Sequence, residues 1–158
     1  MSSITPFLWF DTEAEQAAEL YTSLFPNSRI TEVTHYGTAG PREAGLVMTV
    51  SFELDGQRFT ALNGGPDYRF NEAVSFAVRC ADQAEIDRYW EALSSGGGEE
   101  GPCGWLKDRF GLSWQIVPRQ LPELLSDPDR EKAQRVMAAM LEMTKIDIAE
   151  LQSAAAAW

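Results

Sequence analysis

The stretch ITPFLWFDTEAEQAAELYTSLF, residues 4–25, decides the fold, because its pattern returns about 70 positions later. Residues 4–10 are rich in aromatic and β-branched side chains, which predicts a strand. After Asp11, apolar residues fall at helical spacing until Pro26, which predicts a helix that ends at the proline. Residues 74–94 repeat the order of strand, aspartate and helix. An internal repeat of this kind predicts two related structural modules.

Further strands are predicted after each helix. In the first half they are residues 29–37, 46–54 and 57–63. Asp55-Gly56 is a tight-turn signal, so the last two of these strands form a hairpin. In the second half the strand at 73–80 and its helix are followed by strand candidates at 99–106 and 112–118, with a turn at 108–111.

The resulting fold class is α+β, with two tandem β-α-β-β-β modules forming a curved sheet around a cavity. The alternative is a ferredoxin-like sandwich without a cavity. That fold has one strand fewer per helix, so the runs of strands after each helix favour the cavity. The modules span about 4–65 and 73–118, within one domain over 1–118. Residues 119–158 form a C-terminal helical extension of the same domain.

Charge and composition exclude several classes of partner. The formal net charge is −11, so we expect neither nucleic-acid binding nor attachment to an anionic membrane. Acidic residues interrupt the short apolar run near the N-terminus, which is typical of neither a signal peptide nor a spanning helix. Two cysteines, Cys80 and Cys103, do not make a disulfide framework. We therefore expect reduced thiols and a cytoplasmic protein.

Helix starts are indicated by capping patterns. Thr12 with Glu15 and Asp82 with Glu85 match the capping box. In the extension, Asp127-Pro128 predicts one helix start and Asp147 with Glu150 another. An apolar stripe of alanine and methionine on the first of these helices must pack on the sheet or on a second subunit. Together with the need to cover edge strands, this predicts a homodimer.

Several segments resemble one known family. They are FDTEAEQAAELYTSLFPNS, GQRFTALNGGPDYRFNEAVSFAVRC, EIDRYW and CGWLKDRFGLSWQIVP, all within residues 10–118, with the tail motif MLEMTKIDIAEL. The chain resembles the vicinal-oxygen-chelate superfamily of glyoxalases, bleomycin-resistance proteins and extradiol dioxygenases. Within it, the chain is similar to the PhnB-like branch. Some members of that branch carry the label 3-demethylubiquinone-9 3-methyltransferase.

The resemblance implies four positions for a metal-dependent relative's ligands. In this chain they are occupied by neutral residues: Thr5, Thr60, Ser75 and Gln115. Asn63 is the nearest polar alternative in its strand and is a weak ligand. Divalent transition metals need imidazole, carboxylate or thiolate. We therefore expect no bound metal and no other cofactor.

The same positions and their neighbours are candidates for ligand binding. Thr5, Ser75 and Gln115 are expected to converge as neutral donors and acceptors. Cys103, Trp105 and Lys107 alternate along one predicted strand, which would place them on one face. Trp105 is then a cavity wall, while Trp114 points away from Gln115. Cys103 is either a nucleophile or an inert packed thiol.

The function indicated by this pattern is metal-independent binding of a small molecule in the cavity between the modules. The ligand binding candidates are Thr5, Thr60, Asn63, Ser75, Cys103, Trp105 and Gln115, and no catalytic residue is assigned. Two alternatives stay open: an enzyme of the glyoxalase or dioxygenase type using the region of Cys103 or His35, and the methyltransferase of the family label. The common methyltransferase fold needs a glycine-rich turn after its first strand, and Phe10-Asp11-Thr12 has no glycine.

Overall fold

The computed structural model describes residues 3–157. They form two compact units, one ending at Phe70 and the other beginning at Asn71. The elements of the first unit are β1 (Phe7–Phe10), α1 (Ala14–Leu24), β2 (Arg29–His35), β3 (Val47–Leu54) and β4 (Gln57–Asn63). Its sheet has the order β1-β4-β3-β2, with β1 parallel to β4 and the other pairs antiparallel. This is the predicted β-α-β-β-β module.

The second unit repeats that connectivity. Its module comprises β5 (Ser75–Cys80), α2 (Gln83–Ser94), β6 (Glu99–Glu100), β7 (Trp105–Lys107) and β8 (Ser113–Pro118). The sheet order is β5-β8-β7-β6, again with one parallel pair, β5 with β8. The predicted α+β class with two β-α-β-β-β modules is therefore confirmed.

One predicted strand of the second module is wrong. Residues 99–106 do not form a single strand, because Cys103 and Gly104 both adopt the left-handed region, with φ of 58° and 84°. The turn they make separates β6 from β7. That break supplies the third strand after α2, which the module needs to match the first one.

The strand register shows how closely the modules repeat. Thr60 pairs with Phe7 in the first sheet, and Gln115 pairs with Ala77 in the second. Each lies four residues after a turn glycine, Gly56 or Gly111, with positive φ. Thr60 and Gln115 are thus equivalent positions, as the repeat in the sequence predicts.

Each module buries the sheet face that carries its helix. In the first unit Tyr21 of α1 packs near Phe52 of β3, and both are almost fully buried. In the second, Ile86 and Leu93 of α2 are fully buried, as is Ile116 of β8. Each such side chain contributes roughly 1.5–3 kcal/mol. The opposite faces of the strands are left to carry polar and half-buried residues.

The capping patterns give a mixed outcome. Asp82 accepts a hydrogen bond from the Glu85 backbone N–H at 2.9 Å, which confirms the cap of α2. The Thr12 and Glu15 cap is wrong: the residue at the cap position of α1 is Glu13, and its side chain makes no capping hydrogen bond. Instead, Oδ1 of Asn63 accepts from the Ala14 N–H at 2.9 Å. A residue distant in sequence has taken over the capping role.

The extension forms three helices of the second unit: α3 (Leu121–Leu125), α4 (Arg130–Leu141) and α5 (Ile148–Ala156). The cap of α5 by Asp147 is confirmed, since its carboxylate accepts from the Glu150 N–H at 3.1 Å. The predicted start at Asp127-Pro128 is wrong by two residues, because Asp129 caps α4. Among the helices of residues 3–157, none is long and apolar enough to cross a bilayer.

The extension has its own apolar core, which also receives side chains from the module. Its buried members are Leu121, Val136, Met143, Ile146 and Leu151, and Val117 of β8 packs against them. Hydrogen bonds from a side-chain amide of α2 hold the extension against that helix. Gln83 donates to the Ile146 carbonyl and accepts from the Ile148 N–H, each at 2.9 Å.

Candidate functional site

The sheet of the second unit has one face under α2 and one open face. Trp105, Gln115 and Ala77 are register partners, so their side chains share the open face. Leu106 and Trp114 are also partners, and both are nearly fully buried on the helix side. The prediction that Trp114 and Gln115 point to opposite faces is confirmed. Trp105 is half-buried, so its ring is accessible.

A cavity of about 330 Å³ lies along β6, β7 and the turn between them. This volume falls in the range that small-molecule sites occupy. All the residues that line it belong to the second unit: Glu72, Glu99, Glu100, Gly101, Pro102, Cys103, Trp105, Leu106, Lys107 and Ser113. Two of the predicted candidates, Cys103 and Trp105, are therefore among its walls.

Ser113 is a buried polar residue of this cavity whose side chain lacks a partner. It is 1% exposed, and its hydroxyl oxygen makes no hydrogen bond within the described chain. It pairs with Lys107 across β7 and β8, which places it on the open face with Trp105 and Gln115. A buried hydroxyl without a partner costs about 1–3 kcal/mol. Such a group in a cavity wall is suited to bonding a ligand.

Gln115 and Ser75 lie next to each other on this face. Nε2 of Gln115 donates to the hydroxyl oxygen of Ser75 at 2.9 Å, and both residues are half-buried. The structure thus brings together two of the positions that the resemblance singled out. Neither of the two is among the residues that line the cavity beside β7.

The remaining candidates belong to the first unit. Thr60 lies on the open face of its sheet, between Phe7 and Ser51, and Thr5 precedes β1. Asn63 is 1% exposed, and both ends of its amide are in use. Besides capping α1, it donates through Nδ2 to the Val47 carbonyl at 3.0 Å. Its amide connects the start of α1 to β3.

Cys103 does not share a strand face with Trp105 and Lys107, so that prediction is wrong. It lies in the turn before β7 rather than in a strand. The turn is held by the extension: the Cys103 N–H donates to the Met143 carbonyl and the Gly104 N–H to the Thr144 carbonyl, each at 2.8 Å. The Cys103 thiol is free and half-buried.

Gly104 fits closely against the extension. A Cβ at this position would lie 2.9 Å from the Ile116 carbonyl oxygen and 2.9 Å from Cγ1 of Ile146. Only glycine combines that approach with a positive φ at low cost. The cavity wall formed by Pro102 and Cys103 is therefore positioned by Ile146 and its neighbours.

The other cysteine is suited to structure rather than reaction. Cys80 is fully buried in β5, and burial raises the pKa of its thiol to about 12. Since the thiolate is the nucleophilic form, Cys80 is inert at neutral pH.

The charged residues of the cavity are predominantly acidic. Lys107 forms an ion pair with Glu72, and this contact lowers the pKa of Glu72 and raises the pKa of Lys107. Glu99 is the register partner of Lys107, and its charge also raises the pKa of that lysine. Glu100 accepts a hydrogen bond from Nε1 of Trp90 at 2.6 Å. Three carboxylates thus accompany one ammonium group.

Sequence reasoning missed Ser113 and the Glu72–Lys107 pair. Ser113 had a usable signal, because it lies two residues before Gln115 and strand alternation puts both on one face. Glu72 precedes the strands of its module and had no such signal.

The donors at the four positions implied by the family do not fit a divalent transition metal, since all are neutral oxygen or amide groups. Within residues 3–157, no group of three or more His, Cys, Asp or Glu side chains is arranged to hold a metal ion.

Two β-α-β-β-β modules with this strand order define a glyoxalase-like protein of the vicinal-oxygen-chelate class. Residues 2–117 match the family model described as 3-demethylubiquinone-9 3-methyltransferase, and the chain belongs to that family. A similar solved structure is the PhnB protein from Bacillus cereus, whose description as a 3-demethylubiquinone-9 3-methyltransferase is provisional. It is 33% identical with a TM-score of 0.66, over 74% of this chain and 99% of that one.

More distant structures share the fold alone. Protein PA1353 from Pseudomonas aeruginosa is 20% identical with a TM-score of 0.60, over 75% of this chain and 98% of that chain. The fosfomycin resistance protein FosX from Listeria monocytogenes is 15% identical with a TM-score of 0.53, over 78% and 97% of the two chains. No curated protein matches the chain. The family match ends at residue 117, so the helical extension lies outside it.

Proposed function

We propose that this chain is a metal-independent binding protein for a small organic molecule, held in the cavity beside β7. The observation that carries the proposal is Ser113, a buried hydroxyl without a partner in the cavity wall. Native proteins rarely leave such groups unpaired, because the lost hydrogen bonds to water are not replaced. A ligand polar group that bonds Ser113 removes this cost.

The surroundings of Ser113 support an amphipathic ligand. Trp105 offers a half-buried ring, Pro102 adds apolar surface, and charged groups lie at Lys107 and Glu99. Small-molecule sites combine mostly apolar walls with a few placed polar groups. The cavity has this composition.

The family description suggests methyl transfer, and the local structure of this chain does not favour it. The turn after β1 is Asp11-Thr12-Glu13, without glycine. The N–H of Ala14 at the start of α1 already donates to Asn63. A cofactor that relies on free N–H groups at this helix start would find one of them occupied.

Enzymatic use of Cys103 is also disfavoured by its surroundings. A thiolate needs a nearby base or positive field. The cavity carries three carboxylates, and its lysine is already paired with Glu72. The lining of this cavity therefore offers Cys103 no unpaired cationic group, and binding is the better-supported function.

A titration with benzyl alcohol in the presence of a chelator tests the proposal. The measured quantity is the NMR chemical shift of each backbone amide. Shifts should concentrate at Trp105, Ser113 and the turn before β7. Ser113→Ala should weaken binding about fivefold, because one neutral hydrogen bond contributes about 1 kcal/mol. The control is Ser51→Ala on the open face of β3, which should bind as the parent does.

Two outcomes would contradict the proposal. One is the absence of localised shifts up to the solubility limit of the probe. The other is recovery of binding only after a divalent metal is added back, which would restore a metal-dependent site.

A further inference from the structure

We infer that the ligand of this cavity is an organic cation, an ammonium group attached to a compact aromatic or apolar body. The inference deepens the proposed function and depends on it. It is carried by the charges around the cavity, by Trp105 and by the unpaired Ser113.

The charges leave an excess of negative potential. The cavity is lined by Glu72, Glu99 and Glu100 against a single lysine, Lys107. Since Lys107 is paired with Glu72, its charge is already compensated. Glu100 bonds Trp90 of α2 on the helix side, whereas Glu99 is the register partner of Lys107 on the open face. The carboxylate of Glu99 is then left to attract a cation, and the net charge of −11 on the whole chain acts in the same direction.

The polar and aromatic groups suit the same class of ligand. An ammonium N–H can donate to the hydroxyl oxygen of Ser113, which has no other donor. The half-buried ring of Trp105 lies on the same sheet face, and an indole is the best cation–π surface among side chains. A carboxylate ligand would instead be repelled by Glu99 on the same face.

Three probes of related shape test this inference: benzylammonium, benzyl alcohol and phenylacetate. Benzylammonium and benzyl alcohol share the ring and the number of heavy atoms and differ in charge. At low salt, benzylammonium should bind about tenfold more tightly than benzyl alcohol, and phenylacetate should bind most weakly. High salt should reduce the difference, because exposed carboxylates are screened.

Substitutions of the cavity carboxylates test whether the preference for a cationic probe arises in this cavity. Glu99→Gln should lower benzylammonium affinity roughly threefold and leave benzyl alcohol unchanged. Glu72→Gln should improve phenylacetate binding, because it frees the Lys107 ammonium. Glu91→Gln, on the exposed face of α2, is the matched control and should change nothing.

The outcomes separate the two proposals. If benzyl alcohol binds as tightly as benzylammonium, or phenylacetate binds best, the cationic ligand is refuted and the binding function stands. If none of the three probes binds in the cavity, both are refuted.

Discussion

Replacing Ile146 with alanine tests whether the extension holds the cavity wall. Ile146 is fully buried in the core of the extension, and its Cγ1 faces Gly104 in the turn before β7. Its backbone carbonyl accepts from Gln83 of α2. The side chain therefore joins the extension to the turn, while the backbone carbonyl joins the extension to α2.

The expected cost follows from burial. Truncating a fully buried isoleucine to alanine removes about 2–5 kcal/mol, partly as lost transfer energy and partly as a cavity. The substitution keeps the backbone carbonyl of residue 146, so its hydrogen bond with Gln83 should contribute little to the change in the free energy of unfolding. We expect about 3 kcal/mol, which is a large share of the stability of a domain.

Urea unfolding followed by circular dichroism measures this change. Amide hydrogen exchange at Cys103 and Gly104 measures the turn itself, because their N–H groups donate to Met143 and Thr144. Exchange at both should accelerate in Ile146→Ala. The matched control is Leu141→Ala near the end of α4, since Leu141 is 58% exposed and its loss should cost little.

A cost near that of Leu141→Ala, with unchanged exchange at Cys103 and Gly104, would refute this role. The turn would then hold its conformation without the extension.

Three further predictions test other parts of the structure. Asn63→Ala should lower the free energy of unfolding by about 1–3 kcal/mol, because it leaves the Ala14 N–H and the Val47 carbonyl without their partner. Urea unfolding measures this change, and a loss no larger than that of Ser51→Ala would contradict the prediction. Burial raises the pKa of Cys80 to about 12, so the unfolded state loses this proton first and stability should fall as the pH rises above 9.0, the ordinary pKa of a cysteine thiol. Cys80→Ala should flatten that slope, and an equal slope in both proteins would refute the assignment. Light scattering should give the mass of a homodimer, since the edge strands β1, β2, β5 and β6 need cover; a monomer mass at micromolar concentration would contradict it.

The modules were predictable because their signals are local. The Asp55-Gly56 turn, the spacing of apolar residues before Pro26 and the cap at Asp82 all act within a few residues. The equivalence of Thr60 and Gln115 followed from the turn glycines alone.

The predictions that were wrong concern features that depend on contacts between residues distant in sequence. Thr12 and Glu15 match a capping box, but Asn63 takes the Ala14 N–H from 49 residues away. The break at Cys103 was not visible, because a residue other than glycine rarely adopts positive φ. Its N–H donates to the carbonyl of Met143 in the extension, and a contact over this distance in sequence leaves no local pattern to predict it from.

The candidate site was predicted in part for the same reason. Strand alternation separates Trp114 from Gln115 and groups Gln115 with Trp105. It does not show that Ser75 would bond Gln115, nor that Glu72 would compensate Lys107. Whether Ser113 has a partner depends on the packing around it, and only the structure shows that.

The free energy of unfolding of Ser113→Ala, measured in urea without any ligand, tests the binding site most directly. If the Ser113 hydroxyl is buried without a partner, its removal should raise stability by about 1 kcal/mol, while benzyl alcohol binds more weakly. Ser51→Ala provides the reference for a half-buried serine on a sheet face. A loss of 1 kcal/mol or more in Ser113→Ala would contradict the proposal, because the hydroxyl would then be bonded within the fold rather than kept for a ligand.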